Sequence, residues 1–516
     1  MSVDMTPTEG KVVQGDEGGL KAGLRSPMFR GAVVVAVFAL VAPTFIRGYY
    51  LYVLELTAVY TILAMGLNIV AGYAGQLSLG HTGIYAAGAY VSALMVINLN
   101  LPFPVALVGA IVAGAIVGLI LGVPSLRLGH WYLAMVTLCF ALVVPQLLLA
   151  WEPLTKGTTG LMVPPVSLFG NKLDKISYYY LIVIFAFVIF ALGRNLICSR
   201  WGRAFIAVRD HEITAESTGI SLYMVKLSAF VISSVSASVA GALYGPLLGF
   251  LSPDTFHLDN SLLFLLSIVV GGMGTLVGPI VGTFLLTLLP EALSAFQAYR
   301  MVVYGATLML LMIFIPEGIM GGVRKLTARA RGTTTLDERE KAVVGEVVEP
   351  PAYSYRQFHR NAGPLLVVKG ITKNFGGLRA IDNVEMRVET GSIHALIGPN
   401  GSGKTTMLNL VSGFYRIDSG SIEFAGQRID AISPHRTARL GIARTFQTPK
   451  VLGSATVLEN VMLGLFMHGR AGMIRTIFRV PPAISDEQAV RRKALEWLQF
   501  MGLAHRQNEL AKNLPH

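Results

Sequence analysis

Gly398-Pro399-Asn400-Gly401-Ser402-Gly403-Lys404-Thr405-Thr406 lies between an apolar run, Ile393-His394-Ala395-Leu396-Ile397, and the stretch from Met407 to Ser412. The run reads as a buried strand and the stretch after the loop as the first turns of a helix, the setting that a phosphate-binding loop requires. Glycines at 398, 401 and 403 let successive backbone N–H groups turn inward around phosphate oxygens, and the helix start adds its positive end. Lys404 is then placed to reach the β- and γ-phosphates, and the Thr405 hydroxyl to bind Mg²⁺ beside them. The plainer alternative is a glycine-rich turn without chemistry; the flanking strand and helix argue against it.

Outward from this loop the composition changes character. Of 516 residues, 53% are hydrophobic and 14% charged, and the mean hydropathy is +0.58. So little polar surface cannot cover a soluble protein of this length, and a large part of the chain is expected in a lipid bilayer. The apolar surplus is confined to residues 32 to 316, whereas 324 onward has ordinary soluble composition. The net charge of +12 comes from basic residues that border apolar segments or scatter through the soluble part, without a basic stripe interleaved with aromatics. Nucleic acid is therefore not an expected partner. Cys139 and Cys198 lack metal-ligand spacing and read as inert packing residues, with no disulfide framework.

In chain order, residues 1–29 read as a short cytoplasmic tail without a cleavage site. Membrane-length apolar segments follow at about 32–46, 51–70, 83–98, 103–123, 131–150 and 178–197, then 227–250, a long run 261–290 and a last segment 301–316. Lys21, Arg25 and Arg30 before the first segment, Arg127, and the cluster Arg194, Arg200, Arg203, Arg209 and Lys226 mark cytoplasmic loops. Lys156, Lys172 and Lys175 on the opposite side make that bias imperfect. Counted as three crossings, the final segments would leave the nucleotide domain outside. The run 261–290 is broken by Gly271-Gly272-Met273-Gly274-Thr275 and Gly278-Pro279, so it is expected to form a re-entrant pair of half-helices of about ten residues each. That gives eight crossings plus the re-entrant element. A second break, Gly72-Tyr73-Ala74-Gly75-Gln76-Leu77-Ser78-Leu79-Gly80-His81, is either a turn between crossings or an unwound element beside a translocation path. His81 reads as a hydrogen-bonded structural residue.

The expected organisation is thus a tail (1–29), a polytopic α-helical membrane domain (30–323), a charged linker (324–363) and an α/β phosphate-loop domain (364–516). In the last of these a strand opens at Leu365 to Lys369, a turn falls at Gly376-Gly377, a second strand lies near Ile422 to Ala425, and Glu487 to Met501 is helical. The sheet is expected to be mainly parallel.

At this level of detail the chain resembles a family. The soluble part is similar to the ATP-binding subunits of ABC transporters, particularly importers of branched-chain amino acids, and the membrane part resembles their permease subunits. The second resemblance rests on Gly72 to His81, on Trp201-Gly202-Arg203-Ala204 leading into Arg209-Asp210-His211-Glu212, on Ala240-Gly241-Ala242-Leu243-Tyr244, and on Gly271 to Thr275. It implies an ATP-driven importer in the cytoplasmic membrane, with permease and ATPase fused in one chain. The implied cofactors are ATP and Mg²⁺. The implied partners are a second permease subunit, a second ATP-binding subunit, an extracytoplasmic solute-binding protein, the lipid bilayer and a small-molecule solute.

The resemblance makes Phe375 the aromatic that stacks on adenine, and Gln447 the glutamine that contacts Mg²⁺ and senses the γ-phosphate. From the residues alone, Phe375 is equally a core aromatic and Gln447 a surface polar residue. The loop from Arg209 to Ile220 corresponds to the coupling helix by which a permease grips its ATPase, with Glu212, Ala215 and Gly219 loosely following the importer pattern. The family continues past its helical subdomain into a signature sequence, a catalytic glutamate and a switch histidine. Residues 1–516 stop at Asn513-Leu514-Pro515-His516, so the catalytic residues are unassigned, the domain is expected to be C-terminally incomplete, and His516 is not the switch. Hydrolysis by these residues alone is not expected. Two readings stand: an importer of branched-chain amino acids or of similar solutes such as urea and short amides, and a permease with a non-hydrolysing nucleotide-binding module.

Overall fold

The structure, a computed structural model, describes residues 39–125, 130–168, 171–292, 302, 305–306, 309–310, 313–330, 363–446 and 450–514. The 1–29 tail, residues 32–38 of the first apolar segment, most of the linker, Arg127, Gln447 and His516 lie outside the described residues.

The first half is a helix bundle. Its helices are α1 (Tyr49–Leu67, continued by a π turn over Asn68–Tyr73), α2 (His81–Asn98), α3 (Phe103–Ser125), α4 (His130–Ala150), α5 (Lys175–Ile197), α6 (Arg200–Asp210), α7 (Glu212–Ser217), α8 (Leu222–Leu248), α9 (Leu258–Gly272), α10 (Gly278–Ala292) and α11 (Gly318–Ala330). Among the described residues six stretches, Tyr49–Tyr73, Phe103–Pro124, Tyr132–Ala150, Lys175–Ile197, Leu222–Leu248 and Pro253–Gly272, are long and apolar enough to cross a membrane. Gly278–Pro290 is apolar but shorter.

α8 is the central helix, packed against α1, α2 and α3. Hydrocarbon gives apolar side chains no reason to leave it, so helices in a bilayer associate through close backbone approach at small residues. α8 supplies these as Ser233, Ser234, Ser236, Ser238 and Gly241. A methyl group on Gly241 would lie 2.0 Å from the Tyr85 carbonyl oxygen, and one on Gly88 2.2 Å from that of Ser238. A polar ladder joins α1 to α10: Thr57 to Thr287 at 2.7 Å and Thr61 to Thr283 at 2.7 Å. Asn68 extends it, its amide donating to Thr275 O (2.8 Å) and its oxygen accepting from Gly274 N (2.9 Å).

The break in 261–290 is real, but its dimensions differ from those expected. α9 and α10 are 15 residues each, ~22 Å at helical rise, against a hydrocarbon core of ~30 Å. The turn between them is not at mid-run depth. It abuts Gly72 and the Arg209 guanidinium, at the end of the bundle that meets the nucleotide unit. Between α1 and α2 the chain runs non-helical from Ala74 to Gly80, largely buried. His81 is fully buried, its ring nitrogens 2.9 Å from Ser78 Oγ and 2.6 Å from Ser233 Oγ, the structural role expected of it. Cys139 and Cys198 are both exposed; neither is a packing residue, because each sits on an outward face of its segment.

The second half contains β1 (Pro364–Phe375), β2 (Leu378–Glu389), α12 (Lys404–Val411), β3 (Ser419–Phe424), β4 (Gln427–Arg428), α13 (Pro434–Leu440), α14 (Val457–Gly464), α15 (Met473–Ile477) and α16 (Pro481–Phe500). The sheet order is β2-β1-β3-β4 and every pair is antiparallel, which corrects the parallel expectation. Ile393 to Ile397 is not a strand: it runs without ladder partners among the described residues, with Ile393 101% and Ile397 89% exposed. A strand exists only where neighbours take its N–H and C=O groups, and β1 to β4 pair among themselves. Val368, Ile371, Ile381, Met407, Leu410 and Ile422 form the core between sheet and α12.

Candidate functional site

The nine-residue loop and α12 follow each other as the sequence predicts. Gly401 and Gly403 take φ of 86° and 85°, a region costing an L side chain ~1–2 kcal/mol. Gly403 also caps α12 at a point where a Cβ would meet the Ala380 carbonyl at 2.7 Å. The loop therefore presses against β2, and its N-terminal amides precede the helix axis. Lys404 folds over the loop: its Nζ donates to Gly398 O (2.8 Å), Pro399 O (2.5 Å) and Ser402 Oγ (3.3 Å). All three partners are neutral, so among the described residues the ammonium charge remains uncompensated, which fits an anionic phosphate. Thr405 and Thr406 occupy the first turn of α12, Thr405 exposed.

Phe375 ends β1 at the Gly376-Gly377 turn and is 41% exposed, which removes the core-aromatic alternative. Its ring meets Tyr415 edge-on at 5.1 Å, and the Lys373 ammonium lies 5.5 Å from its centroid. Lys373 in turn binds Asp418 at 2.8 Å. That hydrogen bond, with a second from the Asn374 backbone N–H, holds the exposed Asp418 carboxyl below its usual range. Although Gln447 lies outside the described residues, the segment leading to it is anchored on α12: Arg444 donates to Asn409 Oδ1 at 2.5 Å, and its guanidinium lies 5.3 Å from the Phe446 ring centroid.

The segment from Arg209 to Gly219 sits where bundle and nucleotide unit meet. Arg209 donates to Gly72 O (2.8 Å) and Asp210 (2.8 Å), with Ser454 at 3.5 Å. Glu212 pairs with Lys226 at 2.6 Å, and Ala215 is completely buried on α7, which packs on α13. Gly219 has φ 80° and approaches Met467 so closely that a Cβ would fall 2.4 Å from its Sδ; its carbonyl accepts from Arg439 at 3.4 Å. Burial raises the Glu216 carboxyl above its ordinary range, the Glu212 charge adds to this, and Lys226 opposes it.

A second contact escaped the sequence reading. Arg203 binds Glu487 at 2.6 Å, Asn195 donates to Ile477 O at 3.0 Å, and Trp201 meets Phe466 edge-on at 5.8 Å. The Arg200 guanidinium lies 5.2 Å from the Phe466 centroid. Trp201-Gly202-Arg203 was visible as a motif, and an aromatic beside buried cations in a basic loop was the available signal for an interface. Its partners, some 284 residues away, were not legible.

Comparison with known proteins agrees with this division. A family model described as "Branched-chain amino acid transport system / permease component" matches residues 49–312, and one described as "ABC transporter" matches residues 381–515. The chain is similar to the high-affinity branched-chain amino acid transport system permease protein LivM of Escherichia coli (strain K12), at 34% identity over 314 residues, 56% of this chain and 74% of that protein. Its second half is similar to the probable branched-chain amino acid transport ATP-binding protein LivG of Archaeoglobus fulgidus, at 42% identity over 151 residues, 29% of this chain and 57% of that protein. The Pseudomonas aeruginosa protein BraF is 34% identical over 153 residues, with 60% of its length spanned. A solved nucleotide-free ATP-binding cassette from an ABC transporter is 36% identical over 30% of this chain and 59% of that one, with a TM-score of 0.25. The chain thus spans under two thirds of these ATP-binding relatives.

Proposed function

The chain belongs to the family of branched-chain amino acid transport permease components and carries an ABC transporter domain behind it, and from that premise we propose that it imports branched-chain amino acids at the expense of ATP. The observation that supports this reading most directly is the seat of the Arg209–Gly219 segment between bundle and nucleotide unit, where α7 packs on α13 and Gly219 lies against Met467 and Arg439.

In this reading the loop from Gly398 to Thr406 holds ATP, with Lys404 exchanging its carbonyl partners for the β- and γ-phosphates. Phe375 stacks on the adenine, and Thr405 and Gln447 hold Mg²⁺. Bound MgATP supplies the free energy of phosphoryl transfer. Turnover arises where the loop faces a second ATP-binding subunit. Arg209, Glu212, Ala215 and Gly219 pass the resulting motion to the bundle, with the Arg203–Glu487 contact as a second grip. The nucleotide unit lies in the cytoplasm, a second permease subunit completes the path, and a solute-binding protein delivers the solute.

The test is uptake of labelled leucine, isoleucine, valine and urea into membrane vesicles of cells producing the transporter, with ATP or ADP inside. The expected result is ATP-dependent accumulation of the three amino acids and not of urea. Accumulation of urea alone, or of the amino acids equally with ADP, would refute the proposal.

A further inference from the structure

Polar side chains inside the bundle are mostly tied to one another. Ser78, His81 and Ser233 form one chain. Thr82 and Ser261 pair at 2.6 Å, and Thr137 takes the Leu79 N–H. Apart from Arg200, Trp201 and Arg203 at the contact with the nucleotide unit, three groups differ from this background: among the described residues, both polar side-chain atoms of Gln76 and the phenol oxygens of Tyr85 and Tyr90 are buried without a hydrogen-bond partner. Gln76 is 2%, Tyr85 3% and Tyr90 2% exposed.

The three lie between the nucleotide-unit end of the bundle and the opposite loop. Along the unwound segment burial alternates, with Ala74, Gln76, Ser78 and Gly80 buried and Leu77 42% exposed. In extended chain this puts Gln76 and Ser78 on the same inward face. Gly75, next to Gln76, lies against the Arg209 side chain, at the nucleotide-unit end. Tyr85 is one helical turn beyond His81, with ring centroids 5.2 Å from Tyr244, 5.6 Å from Phe256 and 6.0 Å from Phe264. Tyr90 reaches Phe256 at 6.0 Å. Phe256 belongs to the loop between α8 and α9, at the opposite end of the bundle.

An amide or phenol buried without a partner is strongly disfavoured, and lipid cannot supply one. In secondary transporters, unwound backbone of discontinuous helices is where solutes are held, and the same physics applies to a buried unwound segment here. We infer that Gln76, Tyr85 and Tyr90 are polar contacts of the solute on its way through the bundle, with the Gln76 amide meeting the charged head of a zwitterionic α-amino acid. The amide NH₂ donates to the carboxylate and the amide oxygen accepts from the ammonium, two functions that one neutral side chain combines. The aromatic cluster around Tyr85 takes the aliphatic part. This inference rests on the import of branched-chain amino acids proposed above.

Leucine uptake by vesicles of the full transporter, with melting temperature measured on the same purified protein, tests it. Gln76→Met keeps length and removes polarity; it should raise KM for leucine at least tenfold while melting no lower than wild type, because a group without partners has been replaced by an apolar one of similar shape. Tyr85→Phe and Tyr90→Phe, each losing one oxygen, should raise KM several-fold at unchanged melting temperature. Gln76→Asn, with a shorter amide, should lie between wild type and Gln76→Met. Unchanged KM in Gln76→Met beside a wild type that transports leucine overturns the assignment alone, as does a lowered melting temperature with loss of assembled protein. A wild type that takes up no branched-chain amino acid overturns the functional reading and the assignment with it.

Discussion

Lys404 has only neutral partners, so removing its ammonium should cost phosphate binding and nothing in the membrane. Lys404→Ala is expected to weaken nucleotide binding at least tenfold, about 1.4 kcal/mol, and to bring ATP-dependent uptake to background at unchanged membrane abundance; retained uptake would remove the loop from the mechanism. Glu216 makes a prediction of opposite character. Its carboxyl is raised by burial and by Glu212, so the folded protein favours the protonated form. Stability is penalised above the raised value, recovers as pH falls through it, and levels off below the ordinary glutamate value of 4.5. Glu216→Gln should flatten this dependence, and melting temperature followed from pH 8 to pH 4 measures it; an unchanged slope would exclude Glu216 as its source. The loop was legible because its glycines, lysine and threonines are neighbours in the chain. Arg203 with Glu487, and Arg444 with Asn409, were not, because each pair is joined only by the fold.

At the scale of elements, glycine and proline did most of the reading. Gly271 to Pro279 marked the α9–α10 turn, and Gly72 to Gly80 the unwound segment, since such residues interrupt helices wherever they occur. Helix lengths and the depth of that turn were less legible, because packing against Arg209 and Gly72 sets them. The β assignments divided likewise. β1 and β3 appeared where expected, but the apolar run 393–397 did not become a strand, since composition cannot show whether a ladder partner stands beside it. The coupling segment carries its own prediction. Gly219 combines φ 80° with a site where a Cβ would lie 2.4 Å from Met467 Sδ, so Gly219→Leu should push α7 off the nucleotide unit. Leucine uptake should fall at least tenfold while nucleotide binding, measured with a fluorescent ATP analogue, stays within twofold. Equal losses of both would mean that the segment holds the nucleotide site together rather than communicating with it.

For the whole molecule, the proposed function carries an orientation: the loop between α8 and α9 outside and the nucleotide unit in the cytoplasm. In a background with Cys139 and Cys198 replaced by serine, Asp254→Cys, exposed in the loop before α9, should react in intact cells with an impermeant thiol reagent. Arg470→Cys in the nucleotide unit should react only after permeabilisation. Labelling of Arg470→Cys from outside would invert the topology and the function with it.

One packing feature reaches further. Leu452, Ala455, Leu463 and Phe466 of the nucleotide unit belong to the same buried cluster as the bundle helices, whereas Val368, Ile371, Met407 and Ile422 form a cluster of their own. Cooperative unfolding follows shared cores rather than boundaries along the chain. Heating should therefore divide the molecule inside its second half. Hydrogen exchange followed through the melt should open the β1–β3 sheet and α12 as one unit, and open Leu452, Ala455, Leu463 and Phe466 together with the bundle, carrying with them the cluster that Val457, Leu458 and Met462 of α14 form with α16, although α14 lies more than a hundred residues downstream of the last bundle helix. The line along which this protein comes apart would then not be the line at which its two families were joined.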